Sequence, residues 1–389
     1  MGVEEELLVV DADGIPVARA PETLLIAARR GEGEDVHQHD LEEQGSDVDV
    51  PETAHLVPEL KAQQLELGTP VCTTLAEVGA QLRHWRSRAD AAASAVGSRV
   101  AALATSPVDV APVPTEGERY GRLHEAFGRT AEEVLTCGCH VHVSVTDDEE
   151  GVAVLNRIRV WLPVLTALSA NSPFWQGLDT SYASFRSQVW HRWPSAGPAG
   201  PFRDAGEYHR LVAAVLATRT VLDDGMVYFD ARLSANWPTV EVRTADVLLR
   251  VEDVVTLTGL VRGLVETAAR DARAGGAVPE MPAEVLRLAG WRASRSGLAG
   301  ELVHPRTGRP APAADVLADL LDHVRPALAE AGDERLVGDG VAALLARGTG
   351  ADLQRQVHRE TGDLAAVVRA AVEATTGEAT PRAAAVASR

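Results

Sequence analysis

The chain has 389 residues and a formal net charge of −19, so it is long enough for a large core and strongly acidic. Nucleic acids and anionic membranes bind basic surfaces, which excludes both as the main partners. Its three cysteines contain no Cys-x-x-Cys pair, which excludes a disulfide framework and a thiolate zinc site.

The scarcity of lysine limits the possible enzyme classes, and the lack of leader and membrane-spanning patterns limits the expected cellular location. Lys61 is the only lysine, so no phosphate-binding loop ending in Gly-Lys-Ser/Thr exists, and a Schiff base could form only there. The acidic start has no basic leader region, and no apolar run reaches the length of a membrane span. A cytoplasmic location is expected.

The first predicted strand covers residues 2–11. Glu4 and Glu6 alternate with Val3, Glu5 and Leu7, which places the first two carboxylates on one face. The following Asp-Gly pair predicts a hairpin with residues 15–18 as the returning strand. Residues 31–50 contain eight acidic residues and no Lys or Arg, which predicts an exposed loop.

Two carboxylates follow that loop, Glu59 and Glu66. Seven residues apart, they would face opposite ways on a straight strand but could converge on a helix or across a bulge. The pattern therefore leaves open whether one or both join Glu4 and Glu6. Thr74 and Glu77 then form a capping-box pattern that predicts a long helix over residues 74–104.

Residues 137–145 alternate strictly between two kinds of side chain. His140, His142 and Ser144 occupy one face, and the cysteines and valines occupy the other. Period two with β-branched residues predicts a strand whose imidazoles stand about 7 Å apart. Cys137 and Cys139 are predicted to be buried packing residues and not nucleophiles.

The remaining polar strand faces come from the middle of the chain. Residues 182–190 alternate so that Arg186 faces away from Phe185, while residues 227–234 and 239–243 predict two strands that carry Arg232, Glu241 and Arg243. Helices are predicted over residues 149–170, 207–220, 247–274, 283–293, 313–331, 333–347 and 352–374. We expect one catalytic domain over residues 1–310, a helical region over 311–379 packed on it, and a disordered tail over 380–389.

The polar faces together collect carboxylates, imidazoles and guanidinium groups. Clustered carboxylates repel one another unless cations lie between them. Carboxylates with an occasional imidazole suit Mg²⁺ or Mn²⁺ better than structural zinc. Arg186, Arg232 and Arg243 could bind phosphate or carboxylate through paired hydrogen bonds. This combination predicts nucleotide-dependent chemistry without a phosphate-binding loop.

Six motifs resemble the carboxylate–amine ligase family, also called type-2 glutamate–cysteine ligases. They cover nearly the whole chain: Gly2-Val3-Glu4-Glu5-Glu6, residues 137–143, Ser184-Phe185-Arg186 with Trp190, residues 238–243, residues 291–298 and residues 348–351. The resemblance implies an α+β fold like that of glutamine synthetase, with a curved, mainly antiparallel sheet and helices on its outer face. It also implies that ATP phosphorylates a carboxylate, which an amine then attacks, releasing ADP and phosphate.

The same resemblance implies roles for individual residues. Glu4, His140 and Glu241 would hold the divalent ion nearest the ATP phosphates, and Glu6 with Glu59 or Glu66 would hold another. His142 would lie by the phosphate or the substrate, and Arg186 and Arg243 would contact the substrate carboxylate or the transferring phosphoryl group. Arg232 and Ser144 are predicted to contact the nucleotide.

Two other functions remain open from the sequence. A metal-dependent hydrolase could use the His-x-His pair and the carboxylates to activate water, and a non-catalytic relative could bind nucleotide and regulate a partner. Within the ligase interpretation, glutamate and cysteine are the family's acid and amine, while the substrates of this chain stay open. Homodimer formation is also left open.

Overall fold

The computed structural model describes residues 1–32 and 56–377. Most of the predicted acidic loop over residues 31–50, and the whole predicted tail over residues 380–389, lie outside these ranges. The division into a catalytic domain and a carboxy-terminal helical region stays a prediction.

A seven-stranded antiparallel sheet forms the centre of the described residues. Its strands are β1 Gly2–Val10, β2 Leu56–Pro58, β3 Gln64–Gly68, β4 Arg99–Ala101, β5 Gly138–Ser144, β8 Ala231–Leu233 and β9 Thr239–Asp246. Their order in the sheet is β2-β3-β1-β5-β9-β8, with β4 also paired to β1. Two small antiparallel sheets pair β6 Phe174–Trp175 with β7 Leu178–Asp179, and β10 Glu301–Val303 with β11 Pro310–Pro312. The predicted α+β class with an antiparallel sheet is confirmed.

Helices account for most of the other described residues. The α-helices are Ala20–Arg29, Leu75–Ala95, Glu118–Phe127, Arg129–Glu133, Asp148–Ile158, Leu162–Leu168, Arg186–Trp190, Ala205–Ala217, Val251–Arg273, Ala283–Ser296, Ala313–Ala331, Glu334–Arg347, Gly350–Thr361 and Leu364–Thr376. Two 3₁₀ turns cover Asp224–Met226 and Gly297–Ala299. No single helix in the described ranges is long and apolar enough to cross a membrane, and only the Asp148–Ile158 and Leu162–Leu168 helices pass by length and composition, as a pair bent by 67°.

The core lies between the apolar face of the sheet and the helices that cover it. Val3, Leu7, Cys139 and Val141 are almost fully buried on that face. The Val251–Arg273 helix contacts β5 and also packs against the Leu75–Ala95 helix, which contacts β1. Burying this face removes a continuous apolar surface from water and leaves the opposite, polar face of β1 and β5 for a site. Cys72, Cys137 and Cys139 are all buried free cysteines, as predicted for the last two.

Two predictions for the first hundred residues were wrong in part. The returning strand over 15–18 is reduced to one bridge between Val10 and Pro16, because the chain enters a helix at Ala20. The helix predicted to reach residue 104 keeps its Thr74 capping box but ends at Ala95. Gly97 then adopts a left-handed φ of 73°, which turns the chain into β4.

Other elements are broken or shortened relative to the sequence prediction. The helix predicted over 149–170 is two helices, and Pro163 lies in the first turn of the second, where its missing N–H is tolerated. The helix over 352–374 is also two, separated by Gly362 in a left-handed cap. Residues 186–190, predicted to alternate, form a short helix, and the strand over 227–234 shrinks to Ala231–Leu233.

Candidate active site

The register of the sheet brings the predicted polar side chains onto one face. Glu4 lies opposite His140, and Glu6 lies opposite Glu66. Farther across the sheet, His142 lies opposite Glu241, which itself lies opposite Arg232. Since side chains of directly opposed residues point to the same side of an antiparallel sheet, these pairs form one continuous polar surface.

The tightest group on this surface is Glu4, His140 and Glu241. One ligand atom from each lies within 4.8 Å of the other two, and no other such triad occurs in the ranges that the structure describes. His140 Nδ1 is 3.2 Å from Glu4 Oε2 and 3.9 Å from Glu241 Oε1. Its buried Nε2 has no hydrogen-bond partner in the described residues and lies 3.8 Å from Glu6 Oε1. The imidazole therefore stands between two sets of carboxylates.

His142 lies beside this triad and is electrostatically tied to it. Its Nε2 is 3.2 Å from Glu4 Oε1, and its Nδ1 is 3.1 Å from Thr239 Oγ1. Burial lowers the pKa of His142, but the carboxylates of Glu4 and Glu241 outweigh burial and raise it. Conversely, burial would raise the pKa of Glu4, and the two imidazoles together hold it well below its usual range. Each member of the pair therefore favours the charged form of the other.

Glu241 carries its own arginine partners. Arg232 Nε donates to Glu241 Oε2 at 2.6 Å, and Arg243 donates to Glu241 Oε1. Burial would raise the pKa of Glu241, yet these two guanidinium groups hold it far below its usual range. Glu241 also raises the pKa of Arg243 despite burial. This side of the surface is locally neutralised.

The carboxylates of Glu6, Glu59 and Glu66 form the other side of the same polar surface, away from Glu241. Glu66 lies opposite Glu6 in the sheet, Glu59 lies between β2 and β3, and the charge of Glu6 acts on both. Which of the two binds a metal stays a prediction. Burial, followed by the charge of Glu6, raises the pKa of Glu59 to about 7. Burial, followed by Glu4, Glu59 and Glu6, raises the pKa of Glu66 well above its usual range. Within the described residues, no Lys or Arg nitrogen lies within 4.0 Å of these three carboxylates.

The donor set fits Mg²⁺ or Mn²⁺. Carboxylate oxygens with a single imidazole are the ligands that these ions accept, and structural zinc prefers thiolates and several imidazoles. Burial, followed by the charges of neighbouring carboxylates, raises the pKa values of Glu59 and Glu66. A divalent ion between them would remove that repulsion.

Arg186 reaches the same surface from the short helix at residues 186–190. It is buried, and its Nε has no hydrogen-bond partner in the described ranges. A methyl group added at Gly138 would lie 2.3 Å from Arg186 Nη2 and 3.2 Å from His140 Nε2. The missing side chain of Gly138 therefore makes room for the guanidinium beside His140.

Ser144 and Arg232 occupy the far side of the surface. Ser144 is exposed at the end of β5, opposite Thr239, which contacts His142. Arg232 also donates to Gly225 O at 3.1 Å and Val227 O at 3.3 Å, besides its contact with Glu241. Their role at the nucleotide stays a prediction.

Sequence reasoning missed two side chains that approach the carboxylates, Tyr228 and Arg119. Tyr228 packs on Trp190 with ring centroids 4.7 Å apart, and burial raises its pKa to about 12. Arg119 is held by Asp223 at 2.8 and 3.2 Å, and its charge acts on both Tyr228 and Glu59. Tyr228 shares the polar alternation of Arg232, which could have identified it. Arg119 comes from a separate helix and gave no such signal.

Comparisons with known proteins agree on one family. The family model described as glutamate–cysteine ligase family 2 matches residues 1–370. The chain is 50% identical over 376 residues to "Putative glutamate–cysteine ligase 2" of Streptomyces coelicolor, covering 96% of this chain and 98% of the relative. It is 47% identical over 375 residues to a protein of similar name, "Putative glutamate–cysteine ligase 2-1", from Paenarthrobacter aurescens, covering 96% and 94%.

Two solved structures share the fold. A bifunctional glutathione synthetase from Pasteurella multocida matches with a TM-score of 0.68 and 14% identity, over 97% of this chain and 52% of that chain. The present chain thus spans about half of that bifunctional protein. A glutamate–cysteine ligase from Francisella tularensis, solved in complex with AMP, matches with a TM-score of 0.62 and 12% identity, over 98% and 90%.

Proposed function

Because the chain belongs to glutamate–cysteine ligase family 2, we propose that its polar sheet face joins glutamate to an amine, with cysteine as the first candidate. The chain is an ATP-dependent carboxylate–amine ligase. One observation supports the proposal about the substrates. Glu4, His140 and Glu241 share a surface with a second group of crowded carboxylates. The same surface holds Arg186, whose buried Nε has no hydrogen bond in the described residues.

Two sets of side chains would hold divalent ions in this proposal. Glu4, His140 and Glu241 form the first set, and Glu6 with Glu59 and Glu66 forms the second. Mg²⁺ or Mn²⁺ bound there supplies positive charge that offsets the phosphates of ATP and the substrate carboxylate. Glu241 would exchange part of its contact with Arg232 or Arg243 for this role, which frees an arginine for an anionic substrate group.

The side chains of the protein position and neutralise two anions that must approach each other. Arg186 and Arg243 would bind the substrate carboxylate or the transferring phosphoryl group, since both are buried and each has an Nε without a hydrogen bond in the described residues. His142, whose pKa is raised by Glu4 despite burial, would donate to a phosphate oxygen. Donors fixed in advance around a transferring phosphoryl group stabilise its charge without reorganising at the moment of reaction.

An acyl phosphate on the substrate is the intermediate that fits the available nucleophiles. Cys137 and Cys139 are both buried, and burial raises their thiol pKa values well above the usual range. Lys61 is buried and donates to Ala131 O at 2.6 Å. Since these groups are poor candidates for a covalent enzyme intermediate, the γ-phosphoryl group would pass directly to the substrate carboxylate, and the amine would then displace phosphate.

ADP release tests the proposed function. Purified protein with ATP and Mg²⁺ is incubated with glutamate plus each of a panel of amino acids and amines, and ADP is measured. ADP that requires both an acid and an amine supports the ligase with that pair. ADP formed equally without an amine would favour the hydrolase alternative, and absence of turnover with every pair would favour the non-catalytic relative. ATP as a substrate agrees with the cytoplasmic location proposed from the sequence.

A further inference from the structure

Asp246 is a fully buried carboxylate at the end of β9, where the reaction as proposed above gives it no role. It accepts three hydrogen bonds, from Asn171 N at 2.8 Å, Ser172 Oγ at 2.7 Å and Ser184 Oγ at 2.8 Å. Those donors all belong to the segment that leads into the helix at residues 186–190. A buried carboxylate with three short hydrogen bonds fixes whatever carries its donors.

The segment fixed by Asp246 carries Arg186. The backbone N–H of Arg186 donates to Ser172 Oγ at 2.9 Å, and that same hydroxyl donates to Asp246. Ser184 Oγ, which also donates to Asp246, lies 2.6 Å from Ser187 Oγ one helical turn away. The beginning of the Arg186 helix is therefore attached to Asp246 at two points.

No close ion pair holds the guanidinium of Arg186, so its position depends on this attachment. No carboxylate oxygen of the described residues lies within 4.0 Å of its nitrogens, and its charge interacts with that of Asp246 over a longer distance. Its Nε is buried without a hydrogen bond, and its Cζ lies 5.6 Å from the ring centroid of Trp190. Its placement beside His140 therefore depends on the backbone of this segment, together with the charge of Asp246.

The attachment continues into the carboxy-terminal helices. Gln354 Nε2 donates to Asn171 O at 2.8 Å and lies 2.7 Å from Asn171 Oδ1. Asn171 Nδ2 in turn donates to Ala102 O at 2.8 Å and Val247 O at 2.7 Å. A methyl group added at Gly350 would lie 2.1 Å from Asn171 Oδ1, so this glycine permits the close approach.

The motif at residues 291–298 binds the same segment near residues 183–188. Ser294 O accepts from the backbone N–H groups of Ala183 and Ser184, both at 2.9 Å, and Ser294 Oγ accepts from Gln188 Nε2 at 2.9 Å. The motifs at residues 291–298 and 348–351, which contribute no side chain to the polar sheet face, therefore converge on the segment that carries Arg186.

We propose that Asp246 is a positioning residue for Arg186, acting through Ser172 and Ser184, and that Gln354 extends this support to the carboxy-terminal helical region. The inference rests on the proposed function, because there Arg186 binds the substrate carboxylate or the transferring phosphoryl group. Asp246 touches neither group. It sets where the guanidinium stands, and a misplacement of about 1 Å at such a contact can cost roughly a hundredfold in rate.

A double-mutant cycle with Asp246→Asn and Arg186→Gln tests the coupling. Asn is isosteric with Asp but cannot accept three hydrogen bonds in the same way, so kcat is expected to fall by about tenfold or more, while the KM for ATP changes by less than about twofold. In the Arg186→Gln background, Asp246→Asn is expected to cost little further rate. Equal losses in both backgrounds would overturn the inference.

Two further variants separate positioning from general stability. Asp253→Asn removes another buried aspartate, which binds Arg347 at 2.5 and 3.1 Å and has no contact with the Arg186 segment. It is expected to lower the melting temperature without the kcat loss or the coupling to Arg186. Ser184→Ala removes one donor to Asp246 and serves if Asp246→Asn does not fold. A kcat loss in Asp253→Asn that matches Ser184→Ala would overturn the proposal.

A readout that needs no turnover distinguishes this inference from the proposed function. The Nε–H of Arg186 is buried, so its exchange with solvent is slow and can be followed by ¹⁵N NMR, with Arg186→Lys identifying the signal. Exchange at least about tenfold faster in Ser184→Ala or Asp246→Asn supports the positioning role. Unchanged exchange overturns it. Wild-type protein that turns over no acid–amine pair would overturn the proposed function, and the exchange result would still decide this inference.

Discussion

Glu5 and its two neighbours on β1, Glu4 and Glu6, have the same side chain but different charged partners on the two faces of the strand. Glu5 faces the helices and is fully buried in a two-point ion pair, with Arg86 Nε at 2.8 Å and Arg86 Nη2 at 2.6 Å. Arg86 also donates to Leu248 O and Leu249 O, each at 2.7 Å. Glu4 and Glu6 face the opposite side, where imidazoles within 4 Å and other carboxylates are their charged neighbours.

The difference separates a structural carboxylate from those that we propose to be functional. The cation that neutralises Glu5 belongs to the fold, so the pair is complete once the chain has folded. The carboxylates of Glu6, Glu59 and Glu66 repel one another, and the charge that would offset them must come from outside. Removing Glu5 should therefore damage folding, whereas removing Glu4 should damage chemistry.

The largest expected effect is the contrast between Glu4→Gln and Glu5→Gln. Glu5→Gln leaves the buried Arg86 without its charge partner, which should cost about 3–5 kcal/mol of unfolding free energy. Glu4→Gln should lower kcat by about a hundredfold or more, the usual scale for one group that stabilises charge in the transition state. Chemical denaturation and ADP release measure the two effects. A stable Glu5→Gln, or a fully active Glu4→Gln, would contradict the distinction between the two faces.

Divalent ions should stabilise the polar face that carries Glu4 and Glu6, and should leave the ion pair of Glu5 and Arg86 unchanged. Mg²⁺ or Mn²⁺ at about a hundred times its Kd should add about 2.7 kcal/mol per site to the unfolding free energy. Glu66→Gln should reduce that gain while stabilising the metal-free protein, because one repelling carboxylate is gone. Thermal unfolding with EDTA and with added metal measures both. Full activity after EDTA treatment, with no metal restored, would exclude the metal requirement.

Arg243→Lys probes the neutralised side of the polar surface. Lysine keeps the charge but loses the fork that binds an anion at two points, so turnover should drop by about tenfold or more. Arg83→Lys is the matched control, since Arg83 is exposed and pairs with the exposed Glu252 at 3.2 Å. Wild-type kinetics in a folded Arg243→Lys variant would reject the role of Arg243.

The smallest expected effect is a pH dependence of stability in the metal-free protein. The pKa of Glu59 is raised by burial from its ordinary value of 4.5 to about 7, so the folded state holds a proton that the unfolded chain releases. That stability is fully present below pH 4.5 and is lost as pH rises through about 7. Glu59→Gln should flatten the slope in this window, and saturating metal should reverse it. An unchanged slope in Glu59→Gln would show that other groups cause it.

Strand alternation was enough to predict the polar face of β1 and β5. The pairs Glu4–Glu6 and His140–His142 are each two residues apart, so period two alone places them together. Which strands become neighbours is set by long-range packing, and the opposition of Glu6 and Glu66 could not be read from the sequence. The same holds for Glu59, which reaches the site through a turn.

The predictions that failed depend on backbone choices that local patterns do not determine. Residues 182–190 alternate like a strand, but residues 186–190 form a helix, because Ser172 and Asp246 bind the hydrogen-bonding groups at its start. The helix after Thr74 ends early because Gly97 turns the chain toward a pairing with β1, which is tertiary in origin. Asp246 gave no signal, since a single aspartate at the end of an alternating strand has no recognisable pattern.

Transfer of ¹⁸O from the substrate carboxylate to phosphate tests the chemistry proposed for the polar sheet face most directly. The reaction is run with ATP, Mg²⁺, an acid labelled with ¹⁸O in the reacting carboxylate, and the amine found by ADP release. The released phosphate is then analysed by mass spectrometry. We expect one labelled oxygen in the phosphate and ADP as the nucleotide product, because the phosphoryl group passes through an acyl phosphate. Unlabelled phosphate, or AMP with pyrophosphate, would contradict this route.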